Sequence, residues 1–262
     1  MGDHWSVVRT IPDVARTVGL RVELWICSAG YGLIRPDTQI KAYQATFTRG
    51  EDDYIGAGLQ ECEHILQRWW DGVCGYRFPK RNDAPRTIAG VAAAFPHTPM
   101  LIALSADYLK AVAEDLAQVL ARPYFHHHLA IVSCGTARPH ATWKHHLLPC
   151  DASLAGSLGG SLTSLNARIA RHLVQSMTST ELTLHALRDI ATSMNRIHGP
   201  SPSRSPQSDA RIAAFIRKGV AQSPRTSKTR LLREFRRGGQ ACEQKRFGAI
   251  YAWVRQELSP GT

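Results

Sequence analysis

Ser28-Ala29-Gly30-Tyr31-Gly32 is followed closely by Arg35, Asp37, Lys41 and Tyr43. Hydroxyls, glycines, cations and a carboxylate in one short stretch can hold a polar ligand and act on it. Glycine adopts positive φ and lets a backbone approach a ligand closely. The run Leu24-Trp25-Ile26-Cys27 before it reads as a buried strand. Loops at the carboxyl ends of parallel strands are where open α/β sheets bind ligands. A plain tight turn with Gly30 and Gly32 at its corners satisfies the same pattern, because Gly-x-Gly is a weak signal. Further on, Glu51, Asp52 and Asp53 form either a solvated acidic turn or a source of one reactive carboxylate.

Two more groups carry chemistry. The strand predicted over Pro99–Leu104 runs into Ser105 and Asp107 and then into a helix to about Ala121. Ser105 suits the helix N-cap and Asp107 the positive end of its dipole. A strand–Ser–helix junction is equally a natural anion site. Gly159-Gly160, Ser164, Asn166 and Arg168 mark the start of another helix, running to about Met177, either simply capped or touching a ligand.

The elements that must position these residues read as α/β. A helix is expected over 5–18 with Pro12 interrupting it, then strands over Arg21–Cys27, Pro99–Leu104 and Leu129–Ser133. A helix over Gln60–Val73 puts Cys62, Ile65, Leu66, Trp69 and Trp70 on its apolar side, with the adjacent tryptophans read as core and rim rather than as a stacking platform. Another helix spans Thr180–Ile197. The predicted architecture of residues 1–197 is a three-layer α/β/α sandwich around a small, mainly parallel sheet. Residues 198–208, rich in Pro and Ser, read as a linker. Residues 209–262 read as three helices, over 209–221, 226–237 and 241–257, with Gly238-Gly239 giving a helix-turn-helix layout.

Charge separates the two parts. The chain is +11 overall, and residues 204–262 hold 13 of its 32 Lys/Arg but only 4 of its 21 Asp/Glu. That tail is therefore +9 and the first 203 residues +2. A near-neutral body with a basic tail points to a polyanion, most simply nucleic acid. Lys228, Arg230, Arg233, Arg236, Arg237, Lys245 and Arg246, with Ser227, surround the glycine turn and are the expected DNA contacts. Basic side chains there neutralise phosphates and confer little sequence preference. A three-helix interaction or dimerisation module is the other reading.

No apolar run approaches the roughly 18–20 residues that span a bilayer. The start, Met-Gly-Asp-His-Trp-Ser, lacks the layout of an export signal, and six cysteines without a C-x-x-C pair fit a reducing cytoplasm, the expected location. His126, His127, His128, His140, His145, His146 and Cys150 match no zinc spacing, so neither metal nor cofactor is expected.

Ser28 to Asp37, followed by Ile40 and Tyr43, resembles the YaaA-like family. Its members carry a Ser-small-x-Tyr-Gly-Leu-hydrophobic loop, a Pro-Asp or similar turn and an Ile-x-x-Tyr segment. Leu104 to Ala111 resembles their second motif, and the likeness covers residues 20–175. It implies a fold similar to uracil-DNA glycosylases, with a base-sized pocket at the carboxyl edge of a small parallel sheet. The wider group includes a DNA glycosylase proposed to excise modified bases from phage DNA. The resemblance therefore implies hydrolysis of the N-glycosidic bond of a modified base, such as glucosylated hydroxymethylcytosine, in double-stranded DNA. The chain lacks the Gly-Gln-Asp-Pro-Tyr and His-Ser-Pro motifs of true uracil glycosylases, which puts uracil itself in doubt.

Such an enzyme extrudes its target base and stabilises an oxocarbenium-like sugar, for which a carboxylate serves as charge partner and base. Asp37, nearest the glycine loop, is the first candidate and Asp53 the second, with Glu51 and Asp107 behind them. Tyr31 and Tyr43 would wall a flipped base. Gly30 would allow close approach, Ser28, Ser105 and Asn166 would hydrogen-bond the base edges or the flanking phosphates, and Arg35, Lys41 and Arg168 would hold the backbone. The alternatives are a non-catalytic DNA-binding protein and an enzyme on free 7-deazaguanine-type nucleosides.

Overall fold

The computed structural model describes residues 3–58, 64–76, 84–135, 140–178, 182–194, 205–223 and 226–258, without the Lys245 side chain. The chain forms two compact units, Met1–Ile197 and His198–Thr262. Both mix helix with small two-stranded sheets, and helix predominates.

The first unit opens with α1 (Asp3–Val8) and α2 (Ile11–Thr17). The single helix expected over 5–18 is thus two. Pro12 starts the second helix instead of interrupting one, because the first turn has no use for its missing N–H. The strand expected over 21–27 is confined to β1 (Ile26–Ser28), and its partner is β2 (Gly32–Ile34). The pair is antiparallel, with Ile26 opposite Ile34 and Ser28 opposite Gly32. The glycine stretch is therefore a hairpin turn, not a loop at the end of a parallel strand. Gly32 takes φ +69° there, and a Cβ on it would stand 2.9 Å from Cys74 Sγ. Only glycine fits both demands.

Next come α3 (Ile65–Gly75) and α4 (Ile88–Ala94). Strand β3 (Met100–Ala103) leads to α5 (Ala106–Ala111) and α6 (Ala113–Leu120), which divide at Val112 the helix expected as one. The short α7 (Phe125–His128) then delivers β4 (Leu129–Val132). β3 and β4 are parallel, Met100 opposite Leu129 and Ala103 opposite Val132. After α8 (Ala155–Leu158), the unit closes with α9 (Leu165–Gln175) and α10 (Leu184–Ser193).

Side chains alternate across a strand, so the β3–β4 pair feeds two cores. Met100, Ile102, Leu129 and Ile131 face a cluster with Leu66, Trp70, Val91, Leu109, Leu116 and Phe125. Leu101, Ala103, Ala130 and Val132 face Leu165, Ile169, Leu173 and Leu187. Helices thus cover both faces of the pair. Among the described residues the parallel ladder has two strands, extended by a single bridge from Ile131 to Leu147.

The second unit holds β5 (Ser205–Pro206), α11 (Asp209–Gln222), α12 (Lys228–Arg237), β6 (Gln240–Ala241) and α13 (Gln244–Glu257). Ser208 and Ser227 cap α11 and α12 by accepting from Arg211 N and Arg230 N. Ile212, Ile216, Leu231, Phe235, Phe247 and Val254 form a separate core. The expected linker 198–208 ends early: Ser205–Pro206 pair in parallel with Gln240–Ala241, and residues 198–204 lie outside the described ones. Among the described residues no helix is long and apolar enough to cross a membrane.

Candidate functional site

The hairpin turn orders its own side chains. Ser28 is buried, and its Oγ shares a hydrogen bond with Tyr43 Oη at 2.7 Å and accepts from Tyr31 N at 3.2 Å. Tyr31 Oη accepts from Lys41 N at 3.1 Å, and the Tyr31 and Tyr43 rings meet edge to face, centroids 5.3 Å apart. Tyr43 lies over Gly30 so closely that a Cβ on Gly30 would stand 2.5 Å from Tyr43 Cδ2. Behind the turn, Arg86 donates to Tyr31 O at 2.8 Å, to Cys74 O at 2.9 Å and to Val73 O. Ser28, Gly30, Tyr31 and Tyr43 are thus brought together, as expected, although in a hairpin.

The carboxyl ends of β3 and β4 form the second assembly. Asn166, at the start of α9, donates from Nδ2 to Leu104 O and accepts at Oδ1 from Cys134 N, both at 2.9 Å. Its amide ties the two strand ends together and is spent on them. Ser105 caps α5 through Tyr108 N. Asp107 accepts from Arg49 N at 3.2 Å and pairs with Lys110 at 3.3 Å, so it docks the 46–54 loop against α5. Tyr108 packs edge-on against Phe47 at 5.0 Å, and burial raises its phenol. Arg168 is held by Ser164 Oγ at 3.1 Å and Asp3 at 2.6 Å, closing α1 onto the start of α9. The hydrogen bonds of Ser164 and Arg168 hold the Asp3 carboxyl well below the usual range.

The two acids expected to be catalytic are not drawn into this assembly. Asp37 is exposed, with Arg35 Nε 3.9 Å away, and Arg35 also meets Glu23 at 3.2 Å and lies over the Trp25 ring. Asp53 and Glu51 are exposed on the 46–54 loop, whose backbone bonds Thr46 N to Asp53 O at 2.9 Å. Of the four candidate acids, Asp107 alone sits at a parallel-strand end, with its side chain 22% exposed.

The thiols and imidazoles serve structure. Burial pushes Cys74 up to about 12 and Cys134 up to about 11, so neither is a thiolate near neutrality. His126 bonds Leu120 O at 2.8 Å, His128 bonds Tyr124 O at 2.9 Å and His146 bonds Leu129 O at 3.0 Å. Among the described residues, no three His, Cys, Asp or Glu side chains come together as a metal would require.

In the second unit, Lys228, Thr229, Arg233, Arg236, Arg237 and Gln244, with Leu232, line a surface groove of about 350 Å³ on α12 and the start of α13. The expected contacts divide by partner. Arg230 pairs with Glu234 at 3.0 Å, Arg246 with Asp209 at 2.6 Å, and Arg236 donates to Cys242 O at 2.9 Å. Lys228, Arg233 and Arg237 are exposed and have no ion-pair partner among the described residues. The Lys245 side chain lies outside them.

Sequence reasoning missed Asp115, Arg86 and Asp3. Asp115 is buried on α6 and accepts from Ile88 N and Ala89 N at 2.7 Å and from Trp70 Nε1 at 3.1 Å. Its one sequence signal is a carboxylate on the apolar side of a helix, flanked by Leu116 and Val119. No protein-family model, no curated protein and no solved structure matches this chain.

Proposed function

We propose that the chain binds DNA through the groove on α12, and that its first unit hydrolyses the N-glycosidic bond of a modified base at the carboxyl ends of β3 and β4. The observation that carries the reading is the groove itself: three exposed cationic heads, Lys228, Arg233 and Arg237, around one concavity without internal counter-ions among the described residues. Cations left unneutralised within a fold are available to phosphates, and each phosphate engaged releases counter-ions. The motifs at Ser28–Asp37 and Leu104–Ala111, similar to those of YaaA-like proteins, support the choice of reaction.

In that reaction a water oxygen bonds to C1′, the C1′–N bond breaks, and the base leaves with a proton. Asp107 is the carboxylate best placed to face the developing sugar cation and take the water's proton, because it is partly sheltered at a strand end. DNA bearing glucosylated hydroxymethylcytosine, uracil DNA and unmodified DNA, each incubated with the protein, test the reading. Abasic sites scored by alkaline cleavage, in the modified DNA alone, are the expected result. A second reading, DNA binding without catalysis, draws on the exposure of Asp37 and Asp53 and on the internal use of Asn166 and Arg168. Tight binding with no released base from any of the three DNAs selects it.

A further inference from the structure

We infer that the 28–32 turn carries a stacking site for an unpaired nucleobase, built from Tyr43 and Trp69. The two rings are anchored on consecutive residues. Trp69 Nε1 donates to Ala29 O at 2.7 Å, and Tyr43 lies against Gly30. Both remain 42% exposed, whereas Trp70, next in the chain, is 1% exposed and belongs to the core. The tryptophan pair is core and rim as expected, and the rim ring is in addition fixed in place.

The polar atoms of these rings are already used. Tyr43 Oη is engaged by Ser28 Oγ, the Trp69 indole N–H by Ala29 O, and Tyr31 braces Tyr43 edge-on. With those atoms engaged, what each residue offers to solvent is largely aromatic carbon surface. A large aromatic surface left in water favours burial, and tethering at the polar tip has removed much of the rotamer freedom that a ligand would otherwise have to freeze. Such surfaces take flat, apolar partners with little regard to hydrogen-bonding pattern. That is how aromatic platforms hold bases of single strands. The base must be unpaired, since a paired one is already stacked on both faces. The exposed Lys41, whose backbone holds Tyr31, lies on the same loop.

The nucleic-acid source of the base rests on the reading proposed above, and the two are separable by experiment. Fluorescence anisotropy would compare the full chain on a fully paired labelled duplex and on the same duplex with one bulged thymine. One stacked base predicts roughly tenfold tighter binding to the bulged duplex. Trp69→Ala and Tyr43→Ala should each lose most of that preference and keep their affinity for the paired duplex. Tyr43→Phe, which retains the ring, should keep the preference. Trp69→Phe serves in place of Trp69→Ala if the latter melts early, and should show a reduced preference. Replacing Lys228, Arg233 and Arg237 by Ala should weaken both duplexes alike. Equal binding of the two duplexes by the wild type, or an undiminished preference in folded Trp69→Ala and Tyr43→Ala, overturns the stacking site. Binding of neither duplex overturns the DNA reading instead. The stacking site is then judged on thymidine 5′-monophosphate, by whether the Trp69 indole N–H resonance shifts in the wild type, and no shift overturns it.

Discussion

Asp115→Ala is the sharpest test of how the first unit is held together. The carboxylate joins three elements, accepting from Ile88 N and Ala89 N at the start of α4 and from Trp70 Nε1 on α3. Each donor is left without its acceptor in the variant, and the Trp70 ring is too deeply buried for water to replace it. An orphaned buried donor costs about 1–3 kcal/mol. Desolvation of the carboxylate opposes this, and burial does push the Asp115 carboxyl upward despite its three donors. The net loss should be about 3 kcal/mol, a large share of the ~5–15 kcal/mol that holds an ordinary domain together. Urea unfolding followed by tryptophan fluorescence measures it as a lowered midpoint at unchanged slope. Asp115→Asn keeps one acceptor oxygen but turns an amide N–H₂ toward one backbone donor, and should fall between. Because the folded-state value is raised, the stabilisation from Asp115 is fullest below the ordinary carboxylate value and declines as pH rises through the raised one. The deficit of Asp115→Asn should therefore shrink from acid toward neutral pH. A loss under about 1 kcal/mol for Asp115→Ala would refute the claim that these bonds govern the packing of α3, α4 and α6.

Gly32→Ala forces a side chain into φ +69° and against Cys74, and should cost about 1–3 kcal/mol in the same urea assay. Asn166→Ala unties Leu104 from Cys134 and should cost about 2 kcal/mol, with faster amide exchange at both strand ends. His146 is buried, its imidazole lowered by burial and then by His126, Arg188 and His145 beside it. Its stabilisation is full above the ordinary histidine value and is lost as pH falls toward the lowered one. His146→Gln should flatten that part of the pH–stability curve, measured by thermal melting at a series of pH values. Arg233→Ala and Arg237→Ala should each reduce the salt slope of DNA binding by about 0.9, uniformly across sequences.

Local signals were legible where neighbours in the chain decide the structure. Ser105 as N-cap, the strands at 100–103 and 129–132, and the three helices between 209 and 257 follow from capping residues and apolar period alone. The hairpin was not legible, because Cys-Ser-Ala-Gly-Tyr-Gly closes an antiparallel turn as readily as it ends a parallel strand. The turn packs Gly32 against Cys74, forty-two positions on by number, a neighbour that the local pattern does not reveal. The partners within the candidate site were not legible for the same reason. Nearness in sequence favoured Asp37, whereas the partners of Asp107, Asn166 and Arg168 come from other segments: Arg49 for Asp107, Leu104 and Cys134 for Asn166, and Asp3 for Arg168.

The small pairing of β5 with β6 has a mechanical consequence. The chain entering the second unit is fastened beside the Gly238-Gly239 turn, and Gln207 O accepts from Arg246 at 2.9 Å just beyond it. A pull on the segment ahead of Ser205 is delivered first to the joint between α12 and α13, before it reaches α11. The β5–β6 pair and the joint are one device. Tension there works directly on the elements that line the cationic groove, and a fragment cut at residue 209 would lose both the fastening and the load path.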